Sequence, residues 1–259
     1  MNRYLAELFG LENKKAAVIG GGGFLCGTMA RGLAKAGVSV AILDKNETTR
    51  KKVVEEIRQE GGTAIDLPLD ATNKSSHEQA LQSILKQFGD VDILINGAGT
   101  NAPTPFFEIA EEEWIAIINS HATATFLGCQ VFGKHMVSQK KGSIINMSSA
   151  SSGPPLSKAF SYSVAKAGVK NLTQNLAREW GTMNVRVNAL RPGFFPTEWS
   201  MKNFITPERE QAILGHTPMK RYGKPSELLG GVLWLVSDAA SFVTGAEIEV
   251  DGGFSCMTI

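Results

Sequence analysis

Short apolar runs alternate along this chain with longer stretches in which apolar residues return every three or four positions. The short runs read as strands over Ala16–Gly20, Val38–Leu43, Thr63–Leu69, Val91–Ile95, Gly142–Met147, Val185–Leu190 and Glu247–Val250. The longer stretches predict helices over Phe24–Ala36, Thr48–Glu60, Ser75–Phe88, Glu111–Val137, Ser161–Trp180 and Pro225–Val236. Gly61-Gly62 and Gly89 supply stop signals for two of them. Strands that alternate with helices need crossover connections, and crossovers make parallel strands with helices on both sheet faces. The pattern therefore predicts an α/β chain: a single doubly wound domain over residues 1–259, with no low-complexity linker and no internal repeat. The stretch 194–222 is long and rich in Phe, Trp and Met, and reads as a loop or lid on the substrate side, or as a packed helical hairpin.

Composition narrows the function classes. With 259 residues and a hydrophobic fraction of 43%, the chain can bury a full core. The 26 Lys+Arg against 25 Asp+Glu leave a net charge of +1, which argues against a nucleic-acid or anionic-membrane binder. Nothing approaches the roughly 18 uninterrupted apolar residues of a membrane span. The opening MNRYLAELFGLENKK lacks the apolar core of a signal peptide, so a cytoplasmic protein is expected. Cys26, Cys129 and Cys256 are odd in number and far apart, which suits free thiols. No metal-ligand spacing is present.

In a doubly wound sheet, ligands sit beyond the carboxyl ends of the strands, so the residues after Ile19, Leu43, Ile95, Met147 and Leu190 carry the chemistry. After the first strand comes Gly20-Gly21-Gly22-Gly23-Phe24-Leu25-Cys26-Gly27. Glycines there let backbone N–H groups approach a pyrophosphate at a helix N-terminus. Asp44 ends the second strand, where a carboxylate can accept the hydroxyls of an adenosine ribose and repel a 2′-phosphate, favouring NAD over NADP; Lys45 beside it weakens the preference. Asp70 follows the third strand and is placed to receive an adenine amino group. Asn96-Gly97-Ala98-Gly99 follows the fourth with room for a nucleoside. After the fifth strand come Ser149 and then Tyr162 and Lys166, four residues apart and so one helical turn from each other. A phenol titrates near 10. A neighbouring ammonium is expected to draw that value down, giving a group that exchanges protons with an alcohol or carbonyl near neutral pH.

Together with Asn119, Pro192-Gly193, Val243-Thr244-Gly245 and Val250-Asp251-Gly252-Gly253, these motifs resemble those of the classical short-chain dehydrogenases/reductases over essentially the whole chain. The resemblance implies a Rossmann fold, an NAD(P) cofactor and a homotetramer paired through the two long helices and through the last helix and strand. It implies Tyr162 as general acid/base, Lys166 as its partner and ribose ligand, Ser149 as hydrogen-bond donor to the reacting oxygen, and Asn119 as anchor of a proton-relay water. It places Gly21, Gly23, Phe24, Leu25, Asp44, Asp70, Ala71, Asn96, Ala98, Gly99, Tyr162, Lys166, Pro192, Gly193, Phe195 and Thr197 around the cofactor, with Asn96 also steadying the central strands. The family's loop is usually Thr-Gly-x-x-x-Gly-x-Gly; here Gly20 replaces the threonine and Leu25 the middle glycine.

Three segments, 193–198, 213–219 and 252–259, are similar to a branch of D-mannonate oxidoreductases acting on sugar acids, although Thr100-Asn101-Ala102-Pro103 lacks that branch's histidine. The expected activity is reversible hydride transfer between NAD and a secondary alcohol or ketone of a sugar or sugar acid. A 3-oxoacyl reductase and a non-catalytic nucleotide-binding protein are the alternatives. An enoyl reductase of this fold would set Tyr and Lys further apart, and a serine hydrolase would need a Gly-x-Ser-x-Gly elbow that is missing here. Asn101, Ser151, Lys158 and Trp199 are the expected substrate contacts. Lys158, Arg191, Lys202 and His216 are the candidate cations for a carboxylate. His77 reads as a surface helix residue, and His121 and His135 as packing or surface residues.

Overall fold

The computed structural model describes residues 3–153 and 155–257, and every side chain among them except those of Trp199 and Asn203. Seven strands form one parallel sheet in the order β3-β2-β1-β4-β5-β6-β7. They are β1 (Lys15–Ile19), β2 (Ser39–Asp44), β3 (Ala64–Pro68), β4 (Ile93–Asn96), β5 (Gly142–Met147), β6 (Val185–Pro192) and β7 (Glu247–Val250). Val18 pairs in register with Ile42 on one side and Ile95 on the other, and Ile95 with Ile145. The chain reverses direction of travel across the sheet between β1 and β4, which opens a crevice at their carboxyl ends.

Both sheet faces are covered, and that is why the strands read as unbroken apolar runs. On one face Val18, Ile42 and Ile95 meet Met29 and Leu33 of α2 (Phe24–Lys35) and Val53 and Ile57 of α3 (Glu47–Gln59). On the other face Leu43, Leu94 and Ile144 meet Ile84 of α4, which spans Lys74–Phe88, and Phe132 and Met136 of a long helix described below. Each such buried side chain contributes about 1.5–3 kcal/mol of transfer free energy. Local signals agree with these spans. Asn46 and Asn73 cap α3 and α4 by accepting from the N–H of Thr49 and Ser76, and Gly89 ends α4 at a φ of 82° that a side chain would resist.

The structure departs from expectation in two places, and a third segment resolves two open readings. Arg3–Phe9 forms a helix, α1, that the pattern did not predict. The expected helix Glu111–Val137 is α5 (Glu111–Ile118), a π-turn over Asn119–Thr123, and α6 (Ala124–Gln139). Taken as one, Glu111–Gln139 is long and apolar enough to cross a membrane by length and composition, but half of its apolar window is buried inside the protein, as in a core helix. The stretch 194–222 contains two capped helices, α8 (Glu198–Phe204) and α9 (Pro207–Gly215), and it lines the cavity, so the lid and helical readings both hold in part. The remaining helices are α7 (Phe160–Trp180) and α10 (Leu229–Val236).

Candidate active site

The glycine turn after β1 is shaped by contacts that leave no space for side chains. Gly20 has a φ of +75°, and a Cβ there would lie 2.8 Å from the Ala98 nitrogen. A Cβ on Gly22 would lie 2.4 Å from Thr49 Oγ1. The Gly20 and Gly21 N–H groups donate to the Leu43 carbonyl at 2.8 and 3.2 Å, fastening the turn to β2. Gly23 then opens α2 with no side-chain cap, so the first-turn N–H groups are left for an anion. These features fit a dinucleotide pyrophosphate. Leu25, the residue that departs from the family loop, packs partly buried against the core beneath the turn.

Asp44 stands at the end of β2, where its carboxylate accepts from the Gly22 N–H at 3.1 Å and the Asn46 N–H at 2.9 Å. Asp70 accepts from the N–H and hydroxyl of Thr72, and these bonds hold its carboxyl below the usual carboxylate range. The Ala71 carbonyl accepts from, or faces, His77 Nε2 at 2.9 Å. His77 is not a surface residue as expected. It is fully buried, edge-on to Phe132 at 6.5 Å, and burial lowers its pKa. Asn96 is buried; it donates to Asn146, whose own amide donates to Thr173 of α7, so the three residues tie β4 to β5 and α7.

Around the carboxyl ends of β1, β4 and β5 lies a cavity of ≈ 520 Å³. Ser149, Tyr162 and Lys166 all line it, as do Gly23, Phe24, Leu25, Gly99, Pro192, Gly193, Phe195 and Thr197, and the expected substrate contacts Asn101, Ser151 and Lys158. Gly21, Asp44, Asp70, Ala71, Asn96 and Ala98 stand outside its wall. Trp199's side chain lies outside the described residues. Ser149 heads a short turn and accepts from the N–H and hydroxyl of Ser151 at 3.2 and 3.1 Å. That turn is held from below by Glu247 of β7, whose Oε1 accepts from Ser148 at 2.6 Å and Ser152 at 3.0 Å. Burial pulls the Glu247 carboxyl upward, but bonds from Ser148, Lys170 and Ser152 outweigh it and leave the pKa lowered.

Lys166 is buried and donates to the Met147 carbonyl at 2.6 Å, with Nζ 5.6 Å from the centre of the Tyr162 ring. Burial pulls its pKa down to about 8. The Tyr162 pKa is raised rather than lowered. Loss of water around the phenol is the larger effect, and the hydrogen bond with Ser149 offsets part of it. The expected downward pull by Lys166 is not among the causes in the protein alone, where the ammonium donates to the Met147 carbonyl. Asn119 begins the π-turn between α5 and α6, and its Oδ1 accepts from Thr123 at 2.9 Å. It is not part of the cavity wall.

Two wall residues carry no site role in the sequence reading: His121, read there as packing or surface, and Arg209. His121, on the π-turn, is buried with its ring edge-on to Tyr162 at 4.9 Å and Nε2 2.8 Å from the Thr100 carbonyl. Burial, then the charge of Lys166, hold its pKa near 3, so the ring is neutral. Arg209 enters the wall from the first turn of α9, a helix whose Thr206-Pro207 start signal was available in the sequence. Three expected cations are elsewhere. Arg191 is buried and paired with Glu247 and Glu249, His216 packs edge-on to Phe254 at 4.8 Å, and Lys202 is exposed and outside the wall.

The comparisons agree with this geometry. A family model described as "Enoyl-(Acyl carrier protein) reductase" matches residues 25–255. The chain is 41% identical over 265 residues to the uncharacterized oxidoreductase UxuB of Bacillus subtilis (strain 168), covering 94% of this chain and 95% of that protein. It is 37% identical over 251 residues to 5-keto-D-gluconate 5-reductase of Escherichia coli (strain K12), covering 95% and 97%. A Haemophilus influenza structure, provisionally assigned as a D-mannonate oxidoreductase and holding NAD, superposes with a TM-score of 0.90 at 35% identity, covering 96% of this chain and 97% of that one. Other solved structures of this fold hold NADP. The chain belongs to the short-chain dehydrogenase/reductase family and is an oxidoreductase acting on CH–OH groups.

Proposed function

We propose that this protein interconverts a secondary alcohol and a ketone on a sugar acid, with NAD as the preferred cofactor. The observation that carries the reading is the convergence of Ser149, Tyr162 and Lys166 on one cavity beside the glycine turn. A nicotinamide cofactor accepts or supplies the hydride. The protein's own groups move the proton: Tyr162 takes it from the substrate hydroxyl in oxidation and returns it to the carbonyl oxygen in reduction. Ser149 donates to that oxygen as charge develops on it. Lys166, once a bound ribose and the nicotinamide charge share its surroundings, favours the phenolate. Asp44 supports NAD, because its carboxylate at the end of β2 would oppose a 2′-phosphate. The names of the 5-keto-D-gluconate 5-reductase and the D-mannonate oxidoreductase support a sugar acid.

The apolar side of the wall, Leu156, Phe194, Phe204, Ile205 and Ile213, favours a second reading as a 3-oxoacyl or cyclic-ketone reductase. NAD(P)H absorbance separates the two. The screen runs NAD and NADP in both directions against fructuronate, mannonate, gluconate, 5-ketogluconate, neutral polyols, cyclopentanol and a short 3-oxoacyl ester. The expected result is NAD-linked turnover of a sugar acid. Turnover confined to the acyl ester with NADPH overturns both the substrate and the cofactor assignment. Nucleotide binding with no turnover on any substrate overturns the enzymatic reading.

We also propose a homotetramer. Exposed apolar residues on α5, α6 and α7, described below, support self-association.

A further inference from the structure

The cavity wall has an asymmetric charge. Among the described residues lining it, Lys158, Lys166 and Arg209 are basic and none is Asp or Glu. Lys166 is committed to the Met147 carbonyl and to the reaction centre. The other two stand together at the substrate side. Arg209 Nη1 donates to Ser157 Oγ at 3.1 Å and Nη2 to the Ser157 carbonyl at 3.2 Å. Ser157 directly precedes Lys158, whose backbone is held at a φ of 57°.

We propose that Arg209, with Lys158 beside it, binds the carboxylate of the substrate and so makes the enzyme favour acids over neutral polyols. The proposal rests on the sugar-acid reading above and names the group that enforces it. A guanidinium has five N–H donors, and the two bonds to Ser157 leave three unspent. Those two bonds also fix the plane of the fork, so little side-chain entropy remains to be lost when a carboxylate docks. Phe204, Ile205, Ile213 and Leu156 share the wall with it, and a charge-assisted pair with a carboxylate is stronger than a neutral hydrogen bond. The acidic neighbours in sequence do not quench it: Glu208 hydrogen-bonds Thr206 at the helix cap, and Glu210 lies against Tyr222. Arg209 also joins α9 to the segment between Ser149 and α7, so a carboxylate held here is placed on the same cavity as Tyr162.

The alternative is that Arg209 only latches α9. Steady-state kinetics on the full-length protein separates the two, using D-mannonate and D-mannitol as a pair that differ by carboxylate against CH₂OH. Arg209→Met is expected to raise KM for mannonate roughly 10- to 100-fold, as loss of charge-assisted hydrogen bonds does, with kcat within about threefold. KM for mannitol and the affinity for NADH are expected to stay at wild-type values. Arg209→Lys is expected to recover part of the loss, and Lys158→Met to give a smaller one. An unchanged mannonate KM in Arg209→Met overturns the proposal, and so does an equal rise for both substrates, the mark of a latch. Calorimetric titration of NADH-loaded protein with D-gluconate reads the same contact without turnover: binding that Arg209→Met abolishes supports it, and equal binding overturns it. A wild type that neither turns over nor binds any sugar acid overturns the underlying reading, a failure visible before any variant is made.

Discussion

Burial keeps the proton on Tyr162, and this sets the sign of the pH dependence. A phenol whose pKa is raised stays neutral through the neutral range, so alcohol oxidation, which needs the phenolate, gains as pH rises. Carbonyl reduction needs the neutral phenol and is expected to fall on the alkaline side. Lys166, with its pKa near 8, loses its charge over part of the same range, so the observed values belong to the coupled pair. Profiles of kcat/KM in the two directions check this; flat or parallel profiles between about pH 6 and 10 contradict it. Tyr162→Phe is expected to lower kcat by roughly 10²–10⁴ while leaving NADH binding intact, since it removes only the proton-transferring oxygen. A variant that keeps wild-type kcat removes Tyr162 from the reaction.

At the scale of elements, Leu25 shows how one departure from a family pattern is absorbed. The usual glycine there has no side chain to pack, whereas Leu25 lies partly buried against the core cluster of β1 and α2. Leu25→Gly therefore removes apolar contact and also adds backbone entropy to the first turn of a helix, about 1 kcal/mol for the latter alone. A total loss of about 2 kcal/mol is expected, read as a lower midpoint in urea unfolding. An unchanged midpoint shows that Leu25 is a tolerated insertion without a packing role. Such local matters divide what the sequence displayed from what it hid. Strands and helices around β1, β4 and β5 were legible because their apolar period is regular and their ends carry Asn and Gly signals. The catalytic trio was legible because strand ends bring Ser149 and the first turns of α7 together. The π-turn was not legible, because its backbone shift leaves no residue signature beyond an ordinary helical run. His77 was misread because α4 turns it toward Phe132, and a polar residue on a helix looks like a surface residue until its partners are known. Arg209 was passed over because its position depends on α8 and α9 folding back over the cavity.

For the whole molecule, the exposed faces of three helices carry the argument for assembly. Phe126 of α6 and Ile115 of α5 are both nearly half exposed. On the first half of α7 the exposed residues are Phe160, Val164, Ala167 and Gly168, without a charge. α5 and α6 both pack on α7, so these apolar residues lie on neighbouring helices beside the catalytic one. At the sheet edge, β7 offers its free side only to whatever covers it. Light scattering is therefore expected to give a mass of four times 27.8 kDa. A single 27.8 kDa species overturns the proposed tetramer. The pair Phe126→Arg and Val164→Arg places like charges on facing copies of a symmetric interface, where each substitution counts twice. It is expected to shift the mass to smaller species while circular dichroism stays native. Because α7 carries both this face and Tyr162, loss of assembly is also expected to lower kcat. If the charged variant keeps its full mass, the interface lies elsewhere, and α7 is positioned by its own chain alone.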